Sequence, residues 1–340
     1  MLNSRITAVS HYLPENVITN NDLSKLMTTS DEWITERTGI KERRFVTPGT
    51  STADIAEKAC LQMKNKIGEE AFQEIDLIVM ATLSPDLYFP GVGTLLQQRL
   101  GLKNIPALDI RAQCSGLVYG LSTVDAFIKS KQYKKILLVC AEVQSPALEL
   151  NDNGRDMAVL FGDGAGALLI EAVSDSEQAS SSNKISGIID SALGSDGSGA
   201  DVLCVKAPGT AIKGFMTSEA YEQGLWHPHM DGKLVFKNAV TRLCEVAEKI
   251  LVRNKVRPEQ LDFVLPHQAN LRINEMVREK LGLPSEKVLN NIHKYGNTTA
   301  ATIPILMSEA VEAGQLKSGD LVLTLAFGAG FTWGANLVRW

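Results

Sequence analysis

No apolar run in this 340-residue sequence approaches the roughly 20 residues that a membrane-spanning helix needs, and no basic segment leads into an apolar stretch at Met1-Leu2-Asn3-Ser4. The expectation is a cytoplasmic protein with no membrane insertion. An excess of positive charge is also missing. The 34 Lys and Arg stand against 39 Asp and Glu, a net charge of -5, which gives no support to nucleic-acid binding as the main role. Local basic patches remain compatible with an anionic ligand. The five cysteines, Cys60, Cys114, Cys140, Cys204 and Cys244, are odd in number and widely spaced, with no CxxC pair. That pattern indicates neither a disulfide framework nor a zinc site. His227 and His229 flank Pro228 with no third ligand at a workable spacing, so they are read as loop residues and no metal is expected.

What the chain does have is 44% hydrophobic residues, enough at this length to bury one large core or two fused ones. Cys140 ends the run Ile136-Leu137-Leu138-Val139 and reads as buried strand, while Cys60 and Cys244 fall in helix-like stretches where packing is the default. Cys114 differs. The segment Pro106-Ala107-Leu108-Asp109-Ile110 reads as a strand, and Leu117, Leu121, Val124 and Ile128 recur at helical spacing just beyond the cysteine. The thiol is therefore expected at a helix N-terminus, where unpaired N–H groups and the positive dipole end favour a thiolate. A lone cysteine there is most often a core residue, but two further segments carry related chemistry. Phe263-Val264-Leu265-Pro266 delivers His267 just before a helix marked by Ile273 and Val277, and Gly296-Asn297-Thr298-Thr299 sets Asn297 at another helix start. Either residue alone would read as a cap or a satisfied polar group.

With the residues around them, Cys114, His267 and Asn297 resemble the thiolase-fold condensing enzymes, and within them the ketoacyl-acyl-carrier-protein synthase III group. The resemblance runs nearly end to end. Thr29-Ser30-Asp31-Glu32-Trp33-Ile34 and Arg37-Thr38-Gly39-Ile40 look like that family's entrance segment. They are followed by Phe161-Gly162-Asp163-Gly164-Ala165-Gly166, by His267-Gln268-Ala269-Asn270-Leu271-Arg272, and by Ala326-Phe327-Gly328-Ala329-Gly330-Phe331-Thr332-Trp333-Gly334. The glycine repeat at 162–166 is not a nucleotide loop, because the strand-like Ala167-Leu168-Leu169-Ile170 follows it where a phosphate site needs a helix.

The resemblance implies a five-layer α-β-α-β-α fold built from two duplicated halves. Independently, a helix-like stretch followed by Glu74-Ile75-Asp76-Leu77-Ile78-Val79-Met80-Ala81 is echoed by Gln260-Leu261-Asp262-Phe263-Val264-Leu265-Pro266-His267. Continuous apolar strands alternating with helices predict mostly parallel sheets covered on both faces. The Ser-, Glu- and Asp-rich stretch from Ser174 to Lys184 places the boundary between an N-terminal half, 1–175, and a C-terminal half, 176–340. The stretch 207–233 looks longer than in housekeeping members of the family, and an insertion there would reshape the substrate entrance.

By the same resemblance, Cys114 takes an acyl group from acyl-CoA and then passes it to malonyl-carrier protein in a decarboxylative condensation, with His267 and Asn297 stabilising the enolate. The oxyanion hole falls to the backbone N–H groups of Cys114 and of Ala329, which stands where the family usually has Gly. Trp33, Arg37, Arg155, Asn270 and Arg272 match coenzyme A-binding positions; Phe89 and Phe327 match the acyl pocket, Phe89 reaching across a homodimer interface. No cofactor is implied beyond the acyl-CoA and carrier-protein substrates. A specialised condensing enzyme of quinolone-signal or polyketide type is an alternative reading, suggested by the residues around Cys114 and by Leu83-Ser84-Pro85-Asp86. A Cys-His-Asn thioester hydrolase and a catalytically silent binding paralogue are others.

Overall fold

The computed structural model describes residues 2–174 and 186–340, so the half boundary expected at 175/176 lies outside the described residues. In chain order the strands are β1 (Leu2–Tyr12), β2 (Asn16–Thr19), β3 (Glu42–Phe45), β4 (Leu77–Ala81), β5 (Ala107–Ile110), β6 (Lys135–Glu142), β7 (Gly164–Ser174), β8 (Gly187–Ser195), β9 (Leu203–Cys204), β10 (His229–Met230), β11 (Phe263–Pro266), β12 (Leu321–Gly328) and β13 (Thr332–Arg339). The helices that shape the site are α1 (Asp31–Thr38), α2 (Thr52–Ile67), α3 (Val92–Arg99), α4 (Gly116–Lys129), α5 (Gly232–Arg253), α6 (Leu271–Lys280) and α7 (Thr302–Glu312).

Two sheets carry the fold, one in the order β1-β7-β6-β4-β5 and the other in the order β11-β12-β13-β8. The inner strands β4, β6 and β12 read as nearly unbroken apolar runs because both of their faces are covered. In β4, Leu77, Val79 and Ala81 point into a core shared with α4 and α7, while Ile78 and Met80 point the other way against α2 and α3. β12 repeats the arrangement, with Val322 and Ala326 facing the α4 and α7 core and Leu321, Leu323, Leu325 and Phe327 facing α5 and α6. The layers are therefore α2 and α3, the first sheet, α4 and α7, the second sheet, then α5 and α6, the five-layer thiolase-like α/β fold.

The expectation of mostly parallel sheets needs correction, because both sheets are mixed. β4 runs parallel to β5 and β6, and β11 parallel to β12. The pairs β1 with β7, β6 with β7, β12 with β13 and β13 with β8 are antiparallel. β12 and β13 are separated only by residues 329–331, too short a link for the crossover that a parallel pair needs. Helices covering both faces give antiparallel strands the same continuous apolar composition, which hides strand direction in the sequence.

The central layer sets up the site. A 3₁₀ turn, Gln113–Ser115, leads into α4, and another, Thr299–Ala301, leads into α7; the two turns pack against each other. They meet closely at Gly116, where a Cβ would lie 2.8 Å from the Ala300 Cβ and 3.1 Å from the Ala81 Cβ. Neither neighbour is a flexible side chain that could swing aside. Gly116→Ala should therefore cost about 1–3 kcal/mol by overpacking, read as a lower urea midpoint at unchanged slope. Gly197→Ala, with open space around its Cβ position, is the control. Equal midpoints for the two variants would contradict this packing.

Candidate active site

Cys114 sits in the turn that joins β5 to α4, and backbone geometry on both sides of it is unusual. Gln113 before it has φ 46°, and Thr299 in the facing turn has φ 53°, left-handed values that cost non-glycine residues about 1–3 kcal/mol each. Glycine is required at 328, the last residue of β12, because a Cβ there would lie 2.6 Å from the Cys114 Cβ and 3.0 Å from its backbone N. The next residue, Ala329, has no positive φ, so its methyl group, where related chains are expected to have Gly, needs no strained backbone. The N–H groups of Ala329 and of Cys114 itself both point at the Cys114 sulfur.

His267 follows β11 directly and is held by its backbone N–H, which donates to the Leu325 carbonyl at 2.7 Å. Its Nδ1 lies 2.7 Å from Thr302 Oγ1, and its buried Nε2 has no partner. The Asn297 backbone is fixed on both sides, its N–H donating to Leu160 O at 2.8 Å and its carbonyl accepting from Gly162 N–H at 3.1 Å. Asn297 Oδ1 accepts from the Thr299 N–H at 2.8 Å. Cys114, His267 and Asn297 line one cavity, together with Phe327 and Gly328. Most of its remaining wall is apolar, including Phe236, Ala239 and Leu243 from α5 and Met230 from β10.

Burial dominates the electrostatics. It pushes the Cys114 thiol up to about 12, with the nearby Glu142 carboxylate adding to the shift and the two N–H groups opposing it. The thiolate expected from the helix N-terminus is thus not the resting state, because desolvation outweighs the dipole. Burial likewise holds the His267 imidazole down at about 3. Cys114 and His267 rest as a neutral thiol and a neutral ring. Glu142, at the end of β6, is raised to about 7 by burial despite accepting bonds from Leu83 N–H, Thr82 Oγ1 and Ser84 Oγ.

The other residues singled out in the sequence lie at four places. Trp33 and Arg37 share α1, with the Arg37 guanidinium 4.4 Å and that of Arg155 5.0 Å from the Trp33 ring centre. Asn270 lines the cavity and caps α6, its Oδ1 accepting from Arg272 N–H while its Nδ2 donates to the Arg37 carbonyl at 3.0 Å. The Arg272 guanidinium lies 5.9 Å from the Phe236 ring centre, beside the cavity wall. Phe89 does not line this chain's cavity; it is 80% exposed, in the company of Leu87 and Tyr88. His227 is a loop residue whose Nδ1 donates to the Ala147 carbonyl at 2.8 Å. Sequence reasoning missed Glu142, Thr302 and the α5 wall. A carboxylate closing an apolar strand was the one available signal, since unpaired acids are rarely buried.

Comparison with known proteins gives a consistent result. The family model described as 3-oxoacyl-[acyl-carrier-protein] synthase III matches residues 108–197, and its C-terminal counterpart matches residues 251–340. The chain is 42% identical over 340 residues to beta-ketoacyl-[acyl-carrier-protein] synthase III 1 of Halalkalibacterium halodurans, covering 100% of this chain and 99% of that one. It is 41% identical to beta-ketoacyl-[acyl-carrier-protein] synthase III of Chlorobaculum tepidum, with 100% of both chains covered. Among solved structures, 3-oxoacyl-[acyl-carrier-protein] synthase III from Aquifex aeolicus superposes with a TM-score of 0.87 at 40% identity, covering 99% of this chain and 100% of the other.

Two predictions follow from the burial of these groups. Iodoacetamide should alkylate Cys114 roughly tenfold faster per pH unit from about pH 7 to about pH 10, because only the thiolate reacts. A plateau below about pH 8 would show a thiolate-rich resting site instead. For Glu142, the folded pKa of about 7 lies above the ordinary 4.5, so the folded state holds the extra proton. Its contribution to stability is full below pH 4.5 and is lost as pH rises through about 7. Glu142→Gln, which cannot ionise, should gain stability relative to the parent between about pH 5 and about pH 8 in urea titrations. A constant difference across that range would contradict the raised pKa.

Proposed function

Because the chain belongs to the 3-oxoacyl-[acyl-carrier-protein] synthase III family and is an acyltransferase of the condensing type, we propose that its β-ketoacyl-forming reaction is divided among its residues as follows. Cys114 accepts the acyl group of acyl-CoA as a thioester. Malonyl-carrier protein then enters and loses CO2, which generates the carbon nucleophile without a strong base. His267 Nε2 and the Asn297 amide, facing the same cavity, donate to the enolate oxygen as its charge develops. The enolate attacks the acyl-Cys114 carbonyl, and the N–H groups of Cys114 and Ala329 receive the resulting oxyanion.

One observation carries this reading. A buried imidazole nitrogen without a partner shares a mostly apolar cavity with a buried thiol, and two backbone N–H groups are already aimed at the sulfur. Buried polar groups are ordinarily paired, so such an orphan in a cavity wall is best accounted for by a partner that arrives with the substrate. An apolar cavity also favours condensation over thioester hydrolysis, because it holds little water to compete with the enolate.

Substrate delivery is assigned on the same footing. Trp33 offers an aromatic face for the adenine of coenzyme A, Arg37, Arg155 and Arg272 offer charge for its phosphates, and Asn270 lies along the arm leading to the cavity. Phe327 lines the acyl end. A homodimer is supported by the exposed cluster Leu87, Tyr88 and Phe89 and by β5, an edge strand on which Leu108 is exposed. In such a dimer Phe89 would close the partner's acyl pocket. The five cysteines are all unpaired, in keeping with a reducing, cytoplasmic setting.

The test is a reaction with acyl-CoA and malonyl-carrier protein in which CO2 and β-ketoacyl product are both measured. The two should appear in equal amounts, and Cys114→Ala should lose the product. Asn297→Ala should still become acylated but should condense at least about a hundredfold more slowly. Free fatty acid as the main product would favour a hydrolase instead.

A further inference from the structure

Thr302, the first residue of α7, is buried, and its hydroxyl stands between two groups. It lies 3.0 Å from the Thr299 carbonyl oxygen and 2.7 Å from His267 Nδ1. A hydroxyl has one proton to give. The carbonyl can only accept, so when the Thr302 proton is spent there its oxygen must receive the second bond from an Nδ1–H. The reverse arrangement, in which the hydroxyl donates to Nδ1, forfeits the bond to Thr299. With both bonds made, the neutral ring carries its proton on Nδ1, and Nε2 is a bare lone pair. That is the nitrogen without a partner in the wall of the Cys114 cavity.

We propose that Thr302 is a positioning residue which fixes His267 as the Nδ1–H tautomer, making Nε2 the proton acceptor for the Cys114 thiol during acyl transfer. This rests on the assignment of Cys114 and His267 given above. As the sulfur attacks the acyl-CoA carbonyl, the C–S bond forms, the S–H bond breaks and the proton passes to Nε2. When the tetrahedral intermediate collapses, the C–S bond to coenzyme A breaks and Nε2 returns that proton to the departing sulfur. Throughout, Nδ1–H stays on the Thr302 oxygen, which steadies the transient imidazolium without supplying a charge. A carboxylate in that place would raise the ring's pKa; a hydroxyl leaves the ring neutral, in keeping with the neutral resting thiol and imidazole.

A hydroxyl has a second advantage over a carbonyl or an N–H, because by rotating it serves either tautomer. Between the half-reactions, once coenzyme A has left and water can enter, the ring gives one proton to water and takes another. Thr302 then donates to Nδ1, and Nε2–H faces the enolate. One buried side chain thus lets His267 act as acceptor in the first step and as donor in the second.

Two measurements on the full-length enzyme test this. The first is ¹⁵N NMR of histidine-labelled protein, with the His267 signals assigned by their loss in His267→Ala; it reads the tautomer directly. The resting parent should show a protonated Nδ1 and a bare Nε2, Thr302→Ser should keep that pattern, and Thr302→Val should lose it. The second is the single-turnover rate of Cys114 acylation from acyl-CoA, followed by quenched-flow mass measurement. Thr302→Val should slow it by roughly 10- to 100-fold with little change in the acyl-CoA concentration dependence. Thr302→Ser should restore the rate to within about threefold. A parent enzyme resting as Nε2–H, or Thr302→Val acylating at the parent rate, would overturn the role of Thr302 alone. A parent enzyme that forms no Cys114 adduct would overturn the underlying assignment as well. If Thr302→Val fails to fold, the tautomer of the parent and the rate of Thr302→Ser still decide.

Discussion

The close approach of two buried helix starts is the constraint on which the site depends. α4 and α7 lie side by side between the two sheets, and the turns that begin them touch where Gly116 meets Ala300. That contact brings Cys114, two residues before Gly116, into the same cavity as Asn297, three residues before Ala300. The parallel strands β11 and β12 of the second sheet run toward the same cavity, delivering His267 from one and Gly328 with Ala329 from the other. The reacting groups therefore come from four strand or helix ends, as is usual where ligands bind at the carboxyl ends of strands. No one of them is placed by a local motif alone.

Such an enclosed site sets the protonation states of its residues. Desolvation outweighs the helix-terminal dipole at Cys114 and leaves His267 neutral, so reactivity has to be created when substrate arrives rather than stored as a thiolate–imidazolium pair. Fixed donors are strong in such surroundings, because little solvent has to reorganise around developing charge. The N–H groups at Cys114 and Ala329 and the Asn297 amide are of this kind. Backbone strain at Gln113 and Thr299 is the cost of the two sharp turns that aim these groups inward.

Much of this was legible in the sequence because strand-to-helix junctions leave a mark. An apolar run, a reactive side chain and then a new 3.6-residue period identify the surroundings of Cys114 and His267 without any knowledge of tertiary contacts. Asn270 has a structural role that the sequence reading leaves out, since its side chain caps α6. Strand direction was not legible, because β6, β7 and β12 are covered on both faces and look alike whether parallel or antiparallel. The protonation state of Cys114 was not legible either, because the segments that desolvate it, around 267, 297 and 328, lie far away in the chain. Thr302 reads as an ordinary helix start, and only its proximity to His267 gives it a part.

The account rests on Cys114 as the acyl acceptor. Its most direct test is the intact mass of the protein after incubation with a panel of acetyl-, medium-chain, long-chain and aromatic acyl-CoAs, beside Cys114→Ala. The account predicts a stoichiometric gain equal to one acyl group for at least one donor, absent from the variant, with the best-loaded chain reporting how much room the α5 wall and Phe327 leave. A gain that persists in Cys114→Ala, or no gain with any donor, would contradict it.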